Sequence, residues 1–133
     1  MILVDEIGTI SSALLLFAFL FAIVRVSRAP AYKARLQANR RADKLMREVL
    51  SEREYRQLRL CGFMDIASPN TPGRVYRIPR SRDQVRVYEC GRLVERLCVQ
   101  SVLSIPTGDI VVMHKLLIQG DEEEYLKTAN HFA

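Results

Sequence analysis

The sequence lacks every short pattern that marks a common active site. It has no CxxC or HxxxH pair to hold a metal, no glycine-rich phosphate loop and no nucleophile elbow. No paired carboxylates stand at a spacing that a recognisable scaffold would use. These absences argue against metal-assisted hydrolysis, nucleotide binding and acyl transfer, and they imply no cofactor. Nucleic acid is disfavoured for the same reason, since no binding motif is present. The cysteines, Cys61, Cys90 and Cys98, are odd in number. In a reducing cytoplasm they read as free thiols. Cys90 and Cys98 lie eight residues apart along a candidate strand, roughly 26 Å at about 3.3 Å per residue, too far to share one ion. Internal repeats and low-complexity tracts are also missing.

A different absence carries the strongest signal. No charged residue occurs from Ile7 to Val24. Eighteen helical residues rise roughly 27 Å at about 1.5 Å each, close to the hydrocarbon thickness of a bilayer. A cleaved signal peptide would want basic residues first and a small-x-small site after. The first twelve residues instead carry Asp5 and Glu6 and no basic residue, and Arg25 and Arg28 follow Val24. The segment is expected to stay as a transmembrane helix over residues 7–26, behind a short tail of residues 1–6. Ala18 and Ala22 give it a small-xxx-small spacing, which leaves a homo-oligomer open.

The segment after Val24 is basic. Arg25, Arg28, Lys33, Arg35, Arg40, Arg41, Lys44 and Arg47 are opposed only by Asp43, although the chain as a whole has a net charge of only +5. By the positive-inside rule the C-terminal side is cytoplasmic and the N-terminus outside. Residues 27–50 read as a helical stalk, rich in good helix formers and carrying an Asp43/Arg47 i,i+4 pair, with Pro30 as a kink near the bilayer. Its charges suit anionic lipid headgroups.

Residues 51–133 read as a small α+β cytoplasmic domain. Ser51 and Glu54 form a capping box, and Gly62 closes the short helix 52–60. Residues 66–73 read as loop, with Pro72-Gly73 at the centre of a type II turn. Strands are expected at 74–79, 84–89 and 93–99, the last two joined by a tight Cys90-Gly91 hairpin into a three-stranded antiparallel meander. Leu93, Leu97 and Val99 are expected on one face. Residues 109–118 favour a helix capped by Asp109, with a buried strand as the alternative. A second capping box at Asp121 and Glu124 starts a last helix with a Tyr125, Ala129, Phe132 stripe.

The stretches GRVYRIPR (73–80), VYECGRLVERLCVQ (87–100) and MHKLLIQGDEEEYL (113–126) resemble parts of uncharacterised bacterial membrane-anchored proteins. The resemblance spans roughly residues 51–133 and implies a bacterial source, hence an inner (plasma) membrane location for a single-pass chain. It implies no activity and no site residues.

Seven arginines and no lysine occur between positions 74 and 96. Tyr76, Arg77, Arg86 and Tyr88 are the candidate partner face, because guanidinium forks suit carboxylates and phosphates. Asp83, Glu89 and Glu95 could instead neutralise that face. The leading expectation is a membrane-anchored, non-catalytic accessory or adaptor protein that presents its domain to a protein partner. The alternative is a small enzyme or anionic-ligand-binding domain using His114, Lys115 and the strand arginines.

Overall fold

The structure, a computed structural model, describes residues 3–99 and 104–133, with side chains at 13–26, 29–99 and 104–133. The side chains of Ile7 and Arg28, which figure in the expected span and basic segment, lie outside the described residues. The chain divides into two units, Met1–Gln37 and Ala38–Ala133.

From Leu3 onward the first unit belongs to α1 (Leu3–Val49), which contains Pro30 in its interior. An 18-residue window in it has mean hydropathy 1.8 and no buried residue. Its length and composition suffice to cross a membrane. Leu14, Leu15, Leu16, Phe17, Phe19, Leu20, Phe21 and Ile23 are all exposed. Arg25 lies over the Phe21 ring, 5.0 Å from its centroid.

The second unit begins in the last turns of α1. Asp43 and Arg47 form the expected i,i+4 pair at 3.8 Å. Ala42, Met46 and Leu50 are buried, so this part of the basic segment belongs to the domain core. Ser51 caps α2 (Glu52–Cys61): its side chain accepts from the Glu54 N–H, and Glu54 accepts from the Ser51 N–H at 2.7 Å. Gly62 ends the helix with φ +77, a value that an L side chain adopts at a cost, and its N–H donates to the Leu58 carbonyl.

Five strands are arranged in the order β1-β2-β3-β4-β5, every neighbouring pair antiparallel. They are β1 (Phe63–Ala67), β2 (Arg74–Pro79), β3 (Val85–Glu89), β4 (Arg92–Cys98) and β5 (Asn130–Phe132). The expectation of three strands is corrected to five. β1 begins directly after Gly62 and takes in Ile66 and Ala67, which the sequence alone assigns to a loop. Its Asp65 looks like a strand breaker until Arg77 is seen beside it. Pro79 ends β2, which lies inside the sheet rather than at its edge. The Thr71–Arg74 hydrogen bond with Gly73 at φ +79 fits the expected type II turn. Cys90 and Gly91, at φ +48 and +79, form the tight β3–β4 connection, as type I′ geometry requires.

A register shift between Val87 and Tyr88 places Glu95 opposite Val87 but Leu93 opposite Tyr88. This bulge moves Leu93 to the face opposite Leu97, a correction to the expectation that the two pack together. Residues 109–118 are helical, within α3 (Thr107–Gly120), whose N-cap is Pro106 rather than Asp109. Asp121 caps α4 (Glu122–Thr128), accepting from the Glu124 N–H. α4 ends at Thr128, so Phe132 belongs to β5 and not to a helical stripe.

The core lies on one face of the sheet. Met64, Ile66, Tyr76, Ile78, Val85, Val87 and Leu97 pack with Met46, Leu50 and Leu58, with Val111, Val112 and Ile118 of α3, and with Tyr125 of α4. α3 approaches α1 closely at Gly108, where a Cβ would meet Ala42 Cβ and Met46 Cε, each at 3.1 Å.

Candidate interaction surface

Alternation along the strands settles which side chains share a face. Tyr76 and Ile78 point into the core, so Val75 and Arg77 point away from it. Val85 and Val87 point in, so Arg86 and Tyr88 point out. The expectation that Tyr76 shares the outer face with Arg77 is therefore corrected: Tyr76 is fully buried. A phenol in the core needs a partner, and α4 supplies one. The Tyr76 hydroxyl donates to Glu122 Oε1 at 2.5 Å.

Register extends the outer face across the whole sheet. Asp65 stands opposite Arg77, Arg77 opposite Arg86, Arg86 opposite Arg96, and Arg96 opposite Phe132. A second row runs Ala67, Val75, Tyr88 and Leu93. One row is basic and the next is apolar. Phe132 and Leu93 are exposed on this face, 46% and 39% respectively, without being charged.

The first arginine of the row is neutralised within the fold. Arg77 donates to both oxygens of Asp65, at 2.7 and 2.8 Å, and its guanidinium lies over the rings of Phe63 and Tyr88. Hydrogen bonding to Asp65 holds its pKa above the ordinary arginine value. Gln57 of α2 also donates to Asp65 and accepts from its N–H. That side chain covers an open hydrogen-bonding position of the edge strand β1.

The second and third arginines, Arg86 and Arg96, are exposed, and neither forms an ion pair among the described residues, although Asp83 lines the same cavity of about 190 Å³ as Arg77 and Arg86. The three acids that could have neutralised the face are engaged elsewhere. Glu89 accepts from Arg74 at 2.6 and 3.0 Å. Glu95, on the inner side of the sheet, lies 2.7 Å from His131 Nδ1. Asp83 accepts from the Ser81 hydroxyl. Arg82 donates to the Ile105 carbonyl.

The inner side holds the remaining candidate groups. His114 is buried, with Nδ1 2.9 Å from the Tyr125 hydroxyl, and burial pushes its pKa down to about 4. Lys115 is also buried and points elsewhere, to Glu54 at 2.5 Å. Burial raises the pKa of Glu54, but the Lys115 and Ser51 hydrogen bonds outweigh it and the net shift is downward. A cavity of about 250 Å³ is lined by His114 with Arg82, Asp83, Cys98 and apolar neighbours. Arg77 and Arg86 do not reach it. Thus the fold brings together Arg77, Arg86 and Tyr88, and separates them from Tyr76, His114 and Lys115.

Sequence reasoning missed Asp65, Glu122, Leu93 and Phe132 as members of these two arrangements. Asp65 had a local signal in the alternation of Met64 and Ile66 around it. Glu122 had none, because its donors Ser68, Asn70 and Tyr76 lie 46 to 54 residues away.

The fold is thus a single long apolar helix near the N-terminus joined to an α+β domain with an antiparallel five-stranded sheet. Comparison of the chain with protein-family models, curated proteins and solved structures finds no match.

Proposed function

We propose that the chain is a membrane-anchored, non-catalytic adaptor whose cytoplasmic domain offers the outer face of its sheet to a protein partner. The observation that carries this reading is the exposed, unpaired pair Arg86 and Arg96, beside an Arg77 already matched by Asp65 and with Glu89 and Glu95 engaged elsewhere in the fold. A sheet face of arginine, tyrosine, phenylalanine and leucine has the composition of an interface core. The anchor is supported by the exposed apolar side chains of residues 14–23, which water solvates poorly and lipid accommodates. The charge asymmetry across the helix supports a cytoplasmic C-terminus, and the resemblance to bacterial membrane-anchored proteins supports the inner (plasma) membrane. The basic residues after it are proposed to meet anionic headgroups.

Affinity purification of the full chain in mild detergent tests the adaptor reading. It should recover a stoichiometric protein partner, and that partner should be lost with Arg86→Glu/Arg96→Glu. A clean monomer at native expression would sink it. A reporter that fluoresces only in the cytoplasm, fused after Ala133, should be bright.

One observation favours the rival, an anionic-ligand or catalytic site: the cavity that Arg82 and His114 share. That reading requires a small anion to bind the chain and shift the His114 imidazole resonances. Their indifference to added anions would remove it.

A further inference from the structure

We infer that the occupant of the outer sheet face is an acidic amphipathic helix of a partner protein, with a stripe of carboxylates beside an apolar stripe. This rests on the adaptor reading and gives it a partner chemistry. Three observations lead to it.

The first is charge. The row contains three arginines and one carboxylate, Asp65, and that carboxylate is consumed by Arg77. Arg86 and Arg96 stand directly opposite one another on neighbouring strands. Like charges in that position repel, and an anion placed between them removes the repulsion. Guanidinium forks bind carboxylates bidentately, in geometry like that already present between Arg77 and Asp65.

The second is spacing. Neighbouring strands lie about 4.8 Å apart, so the two free arginines, Arg86 and Arg96, are separated by about that distance across the sheet. Carboxylates at i and i+4 of a helix are about 5–6 Å apart at their Cβ atoms, a close match. Same-side residues of an extended strand repeat at roughly 6.8 Å and match less well.

The third is the second row. Ala67, Val75, Tyr88 and Leu93 run parallel to the arginines, two residues further along each of the first three strands. That offset is roughly 7 Å, within the reach of one helix about 10 Å across. Phe132, half exposed at the end of the basic row, closes it with an apolar contact beside Arg96. A lipid surface also accepts basic and apolar side chains side by side, so the test below carries a vesicle arm.

The test uses the full chain in dodecylmaltoside micelles and a fluorescent helical peptide with a glutamate stripe beside a leucine stripe. Micromolar binding is expected, weakened about tenfold by Arg86→Gln/Arg96→Gln and unaffected by Arg40→Gln/Arg41→Gln. Arg86→Lys/Arg96→Lys should recover only part of it, since lysine lacks the fork. Binding should also fall steeply from 0.1 to 1 M salt, as the Debye length shrinks from about 10 to about 3 Å. The inference is overturned by no binding, by equal binding of a scrambled peptide of the same composition, or by binding that survives Arg86→Gln/Arg96→Gln. It is equally overturned if vesicles containing phosphatidylglycerol, and not the peptide, depend on Arg86 and Arg96. Thermal melts of each variant keep unfolding from being read as lost binding. Recovery of a native partner through another face would sink the acidic helix and leave the adaptor standing.

Discussion

On the inner face of the sheet, polar groups meet partners brought from other elements. Glu122, 3% exposed, accepts from the Ser68 hydroxyl, the Asn70 N–H and the Tyr76 hydroxyl, with Arg74 at 3.9 Å. Burial alone would raise its pKa, yet these donors hold it below the ordinary carboxylate range. Tyr76 and Tyr125 meet edge to face, and Tyr125 meets His114 in the same way. Among the described residues, the Tyr55 hydroxyl alone is a buried side-chain polar atom without a partner. The outer face differs: Arg86 and Arg96 face each other and are left to solvent. An unmatched charge in the core would cost several kcal/mol, whereas on the surface it costs little and remains available. The same sheet is thus matched inward and, at Arg86 and Arg96, left unmatched outward.

The sharpest way to break this contrast is to remove the inner carboxylate. Glu122→Ala takes the acceptor from the buried Tyr76 hydroxyl and from Ser68 and the Asn70 N–H of the adjoining surface loop. It should cost about 2–3 kcal/mol in urea unfolding, since Arg74 keeps Glu89 and the chief loss is the acceptor of a buried hydroxyl. Tyr76→Phe removes one donor and should cost about 1–2 kcal/mol. If Glu122→Ala unfolds no more easily than the native chain, the inner network is not a stability element.

Acid provides the next largest effect. His114 has a folded pKa of about 4 against an ordinary 6.5, because burial disfavours the imidazolium. Between these values the unfolded chain binds the extra proton, so stability rises with pH and is lost as pH falls. From pH 6.5 to pH 5 the loss should be about 1.5 kcal/mol. His131 does not confuse this window. Its pKa is raised by Glu95 and then by the Leu126 carbonyl. Its contribution is therefore fully present below pH 6.5 and lost only as pH rises through its folded pKa. Glu54 and Glu122 have lowered values, so theirs fades below the ordinary carboxylate pKa of 4.5. His114→Phe should flatten the profile between pH 6.5 and 5. An unchanged slope would mean that His114 is solvated.

The asymmetry between the faces also explains what could be read from the chain alone. Local chemistry was legible: the Ser51–Glu54 box, the turn at Gly62, the phase of Val85 and Val87, and the Cys90-Gly91 connection. Each depends on residues within a few positions of one another. The phase of Tyr76 was not, because its Glu122 partner is 46 residues away. β1 was hidden because Asp65 is tolerated mid-strand only through Arg77, twelve residues on. Leu93 changed face through a bulge, and β5 is three residues long and held by His131. Of the residues singled out in 74–96, Arg77, Arg86 and Tyr88 share the outer side of the sheet, whereas Tyr76 is buried and Arg74 meets Glu89 and Glu122. The engagement of Glu89 and Glu95 elsewhere was a tertiary fact.

The β3–β4 hairpin fixes the register that sets Arg86 against Arg96, so strain there propagates to the outer face. Gly91 has φ +79, which costs a side chain about 1–2 kcal/mol. Gly91→Ala should lower stability by that amount. Cys90→Asn should raise it by about 0.5 kcal/mol, since Asn tolerates the left-handed region. Thermal melts of the two variants should move in opposite directions.

The smallest effect is the most telling, because its sign runs against the usual consequence of removing a long side chain. Arg86 is exposed and opposed on both sides, by Arg77 and by Arg96. Arg77 is balanced by Asp65, so the unrelieved repulsion is that between Arg86 and Arg96. Arg86→Gln should therefore stabilise the domain by a few tenths of a kcal/mol, and Arg96→Gln by a similar amount. The double variant should gain little beyond either single change, because one neutral partner already ends the repulsion. At 1 M salt the gain should vanish, since exposed charges are screened within about 3 Å. Arg77→Gln should do the reverse and destabilise, because it leaves the half-buried Asp65 carboxylate with Gln57 alone. If Arg86→Gln destabilises at low salt, Arg86 is serving the fold as Arg77 does. The outer face would then be internally matched like the inner one, and the physical basis for an acidic partner would be gone.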